Sequence, residues 1–78
     1  MREGNKSVLT KDGLYLIYAY QNILKMHGKF SDNFLDSYKY TKTVTLAKLP
    51  QKVLEIQEIF NDILCIRTKT AVFLYYLS

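Results

Sequence analysis

The chain has one cysteine, one proline and one histidine, and no tryptophan. A lone Cys65 excludes a disulfide within the chain and fits a reducing compartment. Cys65 and His27 together cannot fill the four positions of a Cys/His structural zinc. With only Pro50 and the scattered Gly4, Gly13 and Gly28, no Pro/Gly-rich linker divides the sequence. The 78 residues therefore read as a single small domain, 1–78, with residues 1–6 polar and frayed. Long apolar runs are missing too. The most apolar windows, Leu14–Tyr20 and Ala71–Leu77, fall well short of the roughly 20 residues of a spanning helix. Glu3, Lys11 and Asp12 interrupt any signal-peptide pattern. These absences predict a cytoplasmic protein, or a nuclear one in a eukaryote, with no membrane partner.

Catalytic groupings are also scarce. Nucleophilic catalysis wants Ser or Cys beside a His and an orienting carboxylate. His27 sits in Lys25-Met26-His27-Gly28 without a neighbouring acid, and Cys65 lies in an apolar run that predicts a buried, inert thiol. The carboxylate pairs Asp32/Asp36 and Glu55/Glu58 fall on predicted solvated faces, and the glycines form no phosphate loop. The expectation is no enzyme, no cofactor, no metal and no small-molecule substrate.

What the chain has is apolar residues, 49% of the total, seven tyrosines and a net charge of +4. A domain this short buries only about 60–65% of its unfolded surface. Such folds often need a staple, and with disulfide and zinc excluded the remaining one is a partner subunit. The charge is uneven. Lys39, Lys42, Lys48 and Lys52 stand in an acid-free stretch from Ser37 to Lys52, while Glu55, Glu58 and Asp62 follow without a base.

The fold reads as mainly β: a small antiparallel sheet or meander with one or two short helices. Thr10-Lys11-Asp12-Gly13 is a hairpin turn signal, because Asp-Gly favours positive φ. It lies between Ser7–Leu9 and the aromatic run Leu14–Tyr20. A helix over 11–27 competes, placing Leu16, Ile17, Tyr20, Ile23 and Leu24 on one face. Gly13 and three tyrosines disfavour it, so a helix there would begin near Gln21. Ser31 is a candidate cap for one helical turn through Tyr38. Residues 40–46 alternate, with Tyr40, Val44 and Leu46 on one side. Residues 50–64 fit equally a helix, with Val53, Ile56, Ile59, Phe60 and Ile63 on one arc, or two strands, 53–60 and 63–68, parting at Asn61-Asp62. The alternative fold is thus α+β, with helices near 11–27 and 50–62. Residues 63–68 and 71–77 are the most strand-like.

Val8–Tyr18 also superposes on Ile66–Tyr76 at an offset of 58, with seven of eleven positions identical or similar. Leu9-Thr10-Lys11-Asp12-Gly13-Leu14-Tyr15, Tyr18-Ala19-Tyr20-Gln21-Asn22 and Leu49-Pro50-Gln51-Lys52-Val53-Leu54-Glu55-Ile56 resemble the repeat of regulator-of-chromosome-condensation-type β-propellers. The family's glycines after Tyr18 and after Ile56 are missing, and the chain holds little more than one blade. The resemblance implies strands at both ends, and not the family's exchange or chromatin-binding activities.

Two functions follow as expectations. The first is a protein–protein binding module, an inhibitor, adaptor or subunit, using an aromatic sheet face or edge with Tyr18, Tyr20, Phe73, Tyr75 and Tyr76. Its partner is another protein or a second copy in a homodimer, because uncharged Ala71–Leu77 would be an aggregation template if left on an edge. The alternative is a nucleic-acid-binding β-domain, with Lys39, Lys42, Lys48 and Lys52 on phosphates and Tyr38 and Tyr40 stacking on bases.

Overall fold

The computed structural model describes residues 3–29, 41–60 and 62–77. These form seven antiparallel strands and no helix. The first sheet is a four-stranded meander of β1 (Ser7–Leu9), β2 (Tyr15–Tyr20), β3 (Ile23–Lys29) and β4 (Thr41–Lys48). The second is a three-stranded meander of β5 (Val53–Phe60), β6 (Ile63–Thr68) and β7 (Val72–Tyr76).

The expected hairpin at Thr10–Gly13 is present, and its chemistry is local. Gly13 takes φ 74°, a conformation that costs a side-chain-bearing residue energy. The Thr10 hydroxyl donates to Asp12 at 2.6 Å, and the Leu14 N–H donates to the same Asp12 oxygen at 2.9 Å. Where a helix was in contention over 11–27, β3 continues the meander instead. Gln21-Asn22 makes a two-residue turn, with Tyr20 paired to Ile23 and Gln21 at φ 55°. Strand order brings Ile17 and Leu24 to one face, and burying both outweighs the weak helix propensity of the segment. The even contest over 50–62 resolves as strand. In β5, Val53 and Ile56 are buried while Ile59 and Phe60 are exposed, so the helical arc that grouped all four does not exist. The helical turn expected from Ser31 to Tyr38 lies outside the described residues.

The core is a layer between the two sheets. Ile17 and Leu24 from the first meet Val53, Ile56, Leu64 and Ile66 from the second, each at most 2% exposed. Fully burying such a side chain stabilises by about 1.5–3 kcal/mol. Val8, Met26, Leu46, Phe73 and Tyr75 pack around this cluster, half-buried. Gly28 is buried where β3 passes β2. A Cβ there would collide with the Leu14 carbonyl and the Tyr15 ring, so only glycine lets the strands approach.

Polar ties lock the sheets together at one end. The Asn22 side-chain amide donates to the Leu49 carbonyl at 2.9 Å, the Leu49 N–H returns to the Asn22 carbonyl at 2.8 Å, and the Val53 N–H reaches Gln21 at 2.8 Å. Gln51 accepts from both Thr68, 3.1 Å, and Thr70, 2.7 Å, joining the β4–β5 link to the β6–β7 turn. Residues 4–6 belong to both layers. The Gly4 N–H donates to Leu54 and Asn5 accepts from Ile56, while Lys6 accepts from Ala19 on β2.

The two stretches related by the 58-residue offset are both hairpins, but not equivalent ones. Val8 pairs with Ile17, whose counterpart is Tyr75, yet Ile66 pairs with Phe73.

Candidate functional site

Strand alternation sorts the chemistry-bearing residues into an inner and an outer face for each sheet. On the second sheet the outer side carries Glu55 and Gln57 of β5, Ile63, Cys65 and Arg67 of β6, and Val72, Leu74 and Tyr76 of β7. A register shift between Glu58 and Phe60 adds the Phe60 ring opposite Ile63. Phe60 is 70% exposed, Val72 61%, Leu74 52% and Tyr76 61%. Among the described residues the only charges there are Glu55 and Arg67, which pair at 3.4 Å near the turn end. The result is a contiguous apolar surface on a very small domain, and exposed patches of that kind mark interaction sites.

Cys65 belongs to this outer side and is half-buried, which corrects the expectation of a buried thiol. The apolar run around it misled: Leu64 and Ile66 turn into the core at 0% exposure, so the residue between them must turn out.

On the first sheet the outer side differs. Leu16, Tyr18 and Tyr20 of β2 lie beside Ile23, Lys25 and His27 of β3. The Lys25 ammonium sits 5.8 Å from the Tyr20 ring centroid, within cation–π range. His27 Nδ1 and the Thr43 hydroxyl share a hydrogen bond of 2.7 Å.

The residues singled out from sequence are distributed as follows. Tyr18 and Tyr20 share the outer face of the first sheet, and Tyr76 lies on the outer face of the second. Phe73 and Tyr75 turn inward against the core, and the Tyr75 hydroxyl donates to the Leu46 carbonyl at 3.5 Å. The five therefore form no single surface. Tyr38, Lys39 and Tyr40 lie outside the described residues. A bulge opposite Leu24/Lys25 reverses the alternation of β4 between Lys42 and Lys48. Lys42, opposite Gly28, faces the inner side beyond the core, whereas Lys48, opposite Ile23, joins the outer side with Lys25. Lys52 binds Glu3 at 2.9 Å, and Lys6 binds the same carboxylate at 3.0 Å. The two ammonium groups, Lys52 first, hold Glu3 below its ordinary pKa. The Thr10 hydroxyl and the Leu14 N–H do the same for Asp12.

A groove of about 480 Å³ opens between the sheets near the Thr10–Gly13 turn, with Asp12, Tyr15, Met26, Asp62 and Tyr75 among its walls. Among the described residues no three His, Cys, Asp or Glu gather to hold a metal ion, and no helix is long and apolar enough to cross a membrane.

The residues that sequence reasoning missed are Phe60, Val72 and Leu74. The signal for Val72 and Leu74 was present, since strand alternation already separated them from Phe73 and Tyr75. Comparison with protein-family models, curated proteins and solved structures finds no match. The likeness to a propeller repeat therefore rests on the sequence residues that carry it.

Proposed function

We propose that the protein is a non-enzymatic, intracellular binding module that docks another polypeptide through the outer side of its second sheet. The observation that carries this reading is the exposure of Phe60, Val72, Leu74 and Tyr76 together on one side, with charge among the described residues confined to the Glu55–Arg67 pair. The core-facing Val53 and Ile56 of β5 are buried and Phe73 and Tyr75 of β7 are half-buried against the core, so the exposed residues of these strands are surplus to this domain's own packing. Aromatic and aliphatic side chains in that position favour a partner that excludes water from them. The test is co-purification of the native protein at low and high salt, alongside Phe60→Lys. Retention of one defined protein at high salt, lost in Phe60→Lys with an unchanged circular dichroism spectrum, supports the reading. A partner released by salt and indifferent to Phe60→Lys overturns it.

A second reading is favoured by the first sheet, where Tyr18, Tyr20, Lys25 and Lys48 share one side. Aromatic rings beside cations on an open sheet form a platform for single-stranded nucleic acid, bases on the rings and phosphates on the lysines. Such binding weakens steeply with salt. Absence of binding to any labelled single-stranded oligonucleotide at low salt removes this reading.

A further inference from the structure

Sheet edges are where two chains join most readily, and proteins usually blunt them. The four edge strands here differ in that respect. β1 has three residues, and the segment leading into it crosses to β5. β4 carries Lys42 and Lys48, both exposed, and a bulge. β5 is irregular at both ends and is covered at its start by Gly4 and Asn5. β7 has none of these devices: Val72–Tyr76 contains no charge, proline, glycine or bulge, and among the described residues it pairs with β6 alone.

The register fixes which backbone groups of β7 are open. Thr68 N–H donates to Ala71, and Leu77 N–H donates to Asp62, so Ala71, Phe73, Tyr75 and Leu77 point their backbone groups at β6. The N–H and C=O of Val72, Leu74 and Tyr76 point the other way. Those same residues hold the exposed side chains. One strand edge thus presents three donors, three acceptors and an apolar row.

We infer that this edge pairs with β7 of a second copy of this chain, antiparallel about a two-fold axis through Leu74. The inference concerns the strand edge and stands apart from the docking reading above, since edge pairing leaves the outer side chains of the joined sheet uncovered. In this arrangement Leu74 faces Leu74 of the second copy, and Val72 faces its Tyr76. Every open N–H and C=O of Val72, Leu74 and Tyr76 finds a partner, and the two three-stranded sheets become one of six. The side chains match as well, since an aromatic beside a β-branched residue is a favourable cross-strand pair. Charge selects this edge for self-pairing. In a chain of net charge +4, β4 against β4 would bring lysines together, whereas β7 against β7 brings no charge at all.

The test uses geometry that only this register gives. In a Cys65→Ser background, Leu74→Cys places two thiols on residues about 5.5 Å apart at Cα, within disulfide reach. Val72→Cys in the same background places its thiols several residues apart along the strands. Mild oxidation is expected to convert Leu74→Cys almost completely to a covalent dimer and to leave Val72→Cys monomeric. In the unsubstituted protein, the amides of Val72, Leu74 and Tyr76 are expected to exchange more slowly by over about tenfold as concentration rises. The amides of Phe73 and Tyr75, already bonded to β6, are expected to show no such dependence. A monomer by light scattering at high micromolar concentration, with those three amides unprotected, overturns the self-pairing. Equal cross-linking of the two cysteine variants overturns the register. Neither result touches the docking reading, which stands or falls on Phe60→Lys and salt.

Discussion

The first sheet turns Leu16, Tyr18 and Tyr20 outward beside Lys25 and Lys48, whereas the second turns out Phe60, Val72, Leu74 and Tyr76 with charge, among the described residues, only in the Glu55–Arg67 pair. Inside, the sheets are alike, each giving fully buried aliphatic residues to a shared layer. Outside, one offers rings among cations and the other an uncharged apolar row. In strands, the residues that build the core and those that meet a partner alternate along the same few positions. Packing therefore constrains half of each strand and leaves the other half free to differ between sheets.

The largest effects should come from the side on which the sheets agree. Leu24→Ala and Leu64→Ala remove completely buried side chains, one from each sheet, and each is expected to cost about 2–5 kcal/mol in urea unfolding. Both should lower a single cooperative transition. Separate melting of the two sheets would break the picture of one shared core. Next is Gly28→Val, which forces a side chain between the Leu14 carbonyl and the Tyr15 ring and should cost about 1–3 kcal/mol by the same measurement. Asn22→Ala removes the amide that holds the Leu49 carbonyl and should cost about 1–2 kcal/mol.

Smaller effects should separate the outer sides. Lys25→Ala with Lys48→Ala should leave stability within about 0.5 kcal/mol. If the first sheet binds single strands, the pair should reduce the salt slope by roughly one unit per lysine. An unchanged slope would leave the two outer sides without a functional distinction. The smallest effect concerns pH. Asp12 titrates below its ordinary value because Thr10 and Leu14 bond its charged form. Its stabilising contribution is present above the unfolded carboxylate pKa and is lost as pH falls through the lowered folded value. Asp12→Asn should therefore differ from the parent at neutral pH and converge with it at the acid end of a denaturation series.

Much of this architecture was legible in the sequence where local chemistry decides it. Asp12-Gly13 announced the first hairpin, and residues 63–68 and 72–76 announced themselves by composition. β3 was not legible, because Lys25, Met26, His27 and Gly28 have no strand propensity to speak of. Only pairing on both sides holds them extended. A clue lay in a second correspondence: Tyr20-Gln21-Asn22-Ile23-Leu24 parallels Phe60-Asn61-Asp62-Ile63-Leu64, and both lead into a completely buried leucine. Of the candidate site, aromatic density was readable but facing was not. Phe73 and Tyr75 went inward because one residue of register decides every side chain of a strand. The β4 bulge, which parts Lys42 from Lys48, left no mark in the alternation of residues 40–46.

The bonds from Gly4 to Leu54 and from Asn5 to Ile56 have a kinetic consequence. The hairpins β2–β3 and β5–β6 pair strands adjacent in sequence and can form within microseconds. Gly4 and Asn5 must instead find partners about fifty residues along the chain, and long closures carry the entropy that slows folding. The two meanders are expected to assemble first and the N-terminal segment to seal them last. Substitutions at residues 4 and 5 should then speed unfolding while leaving the folding rate nearly unchanged.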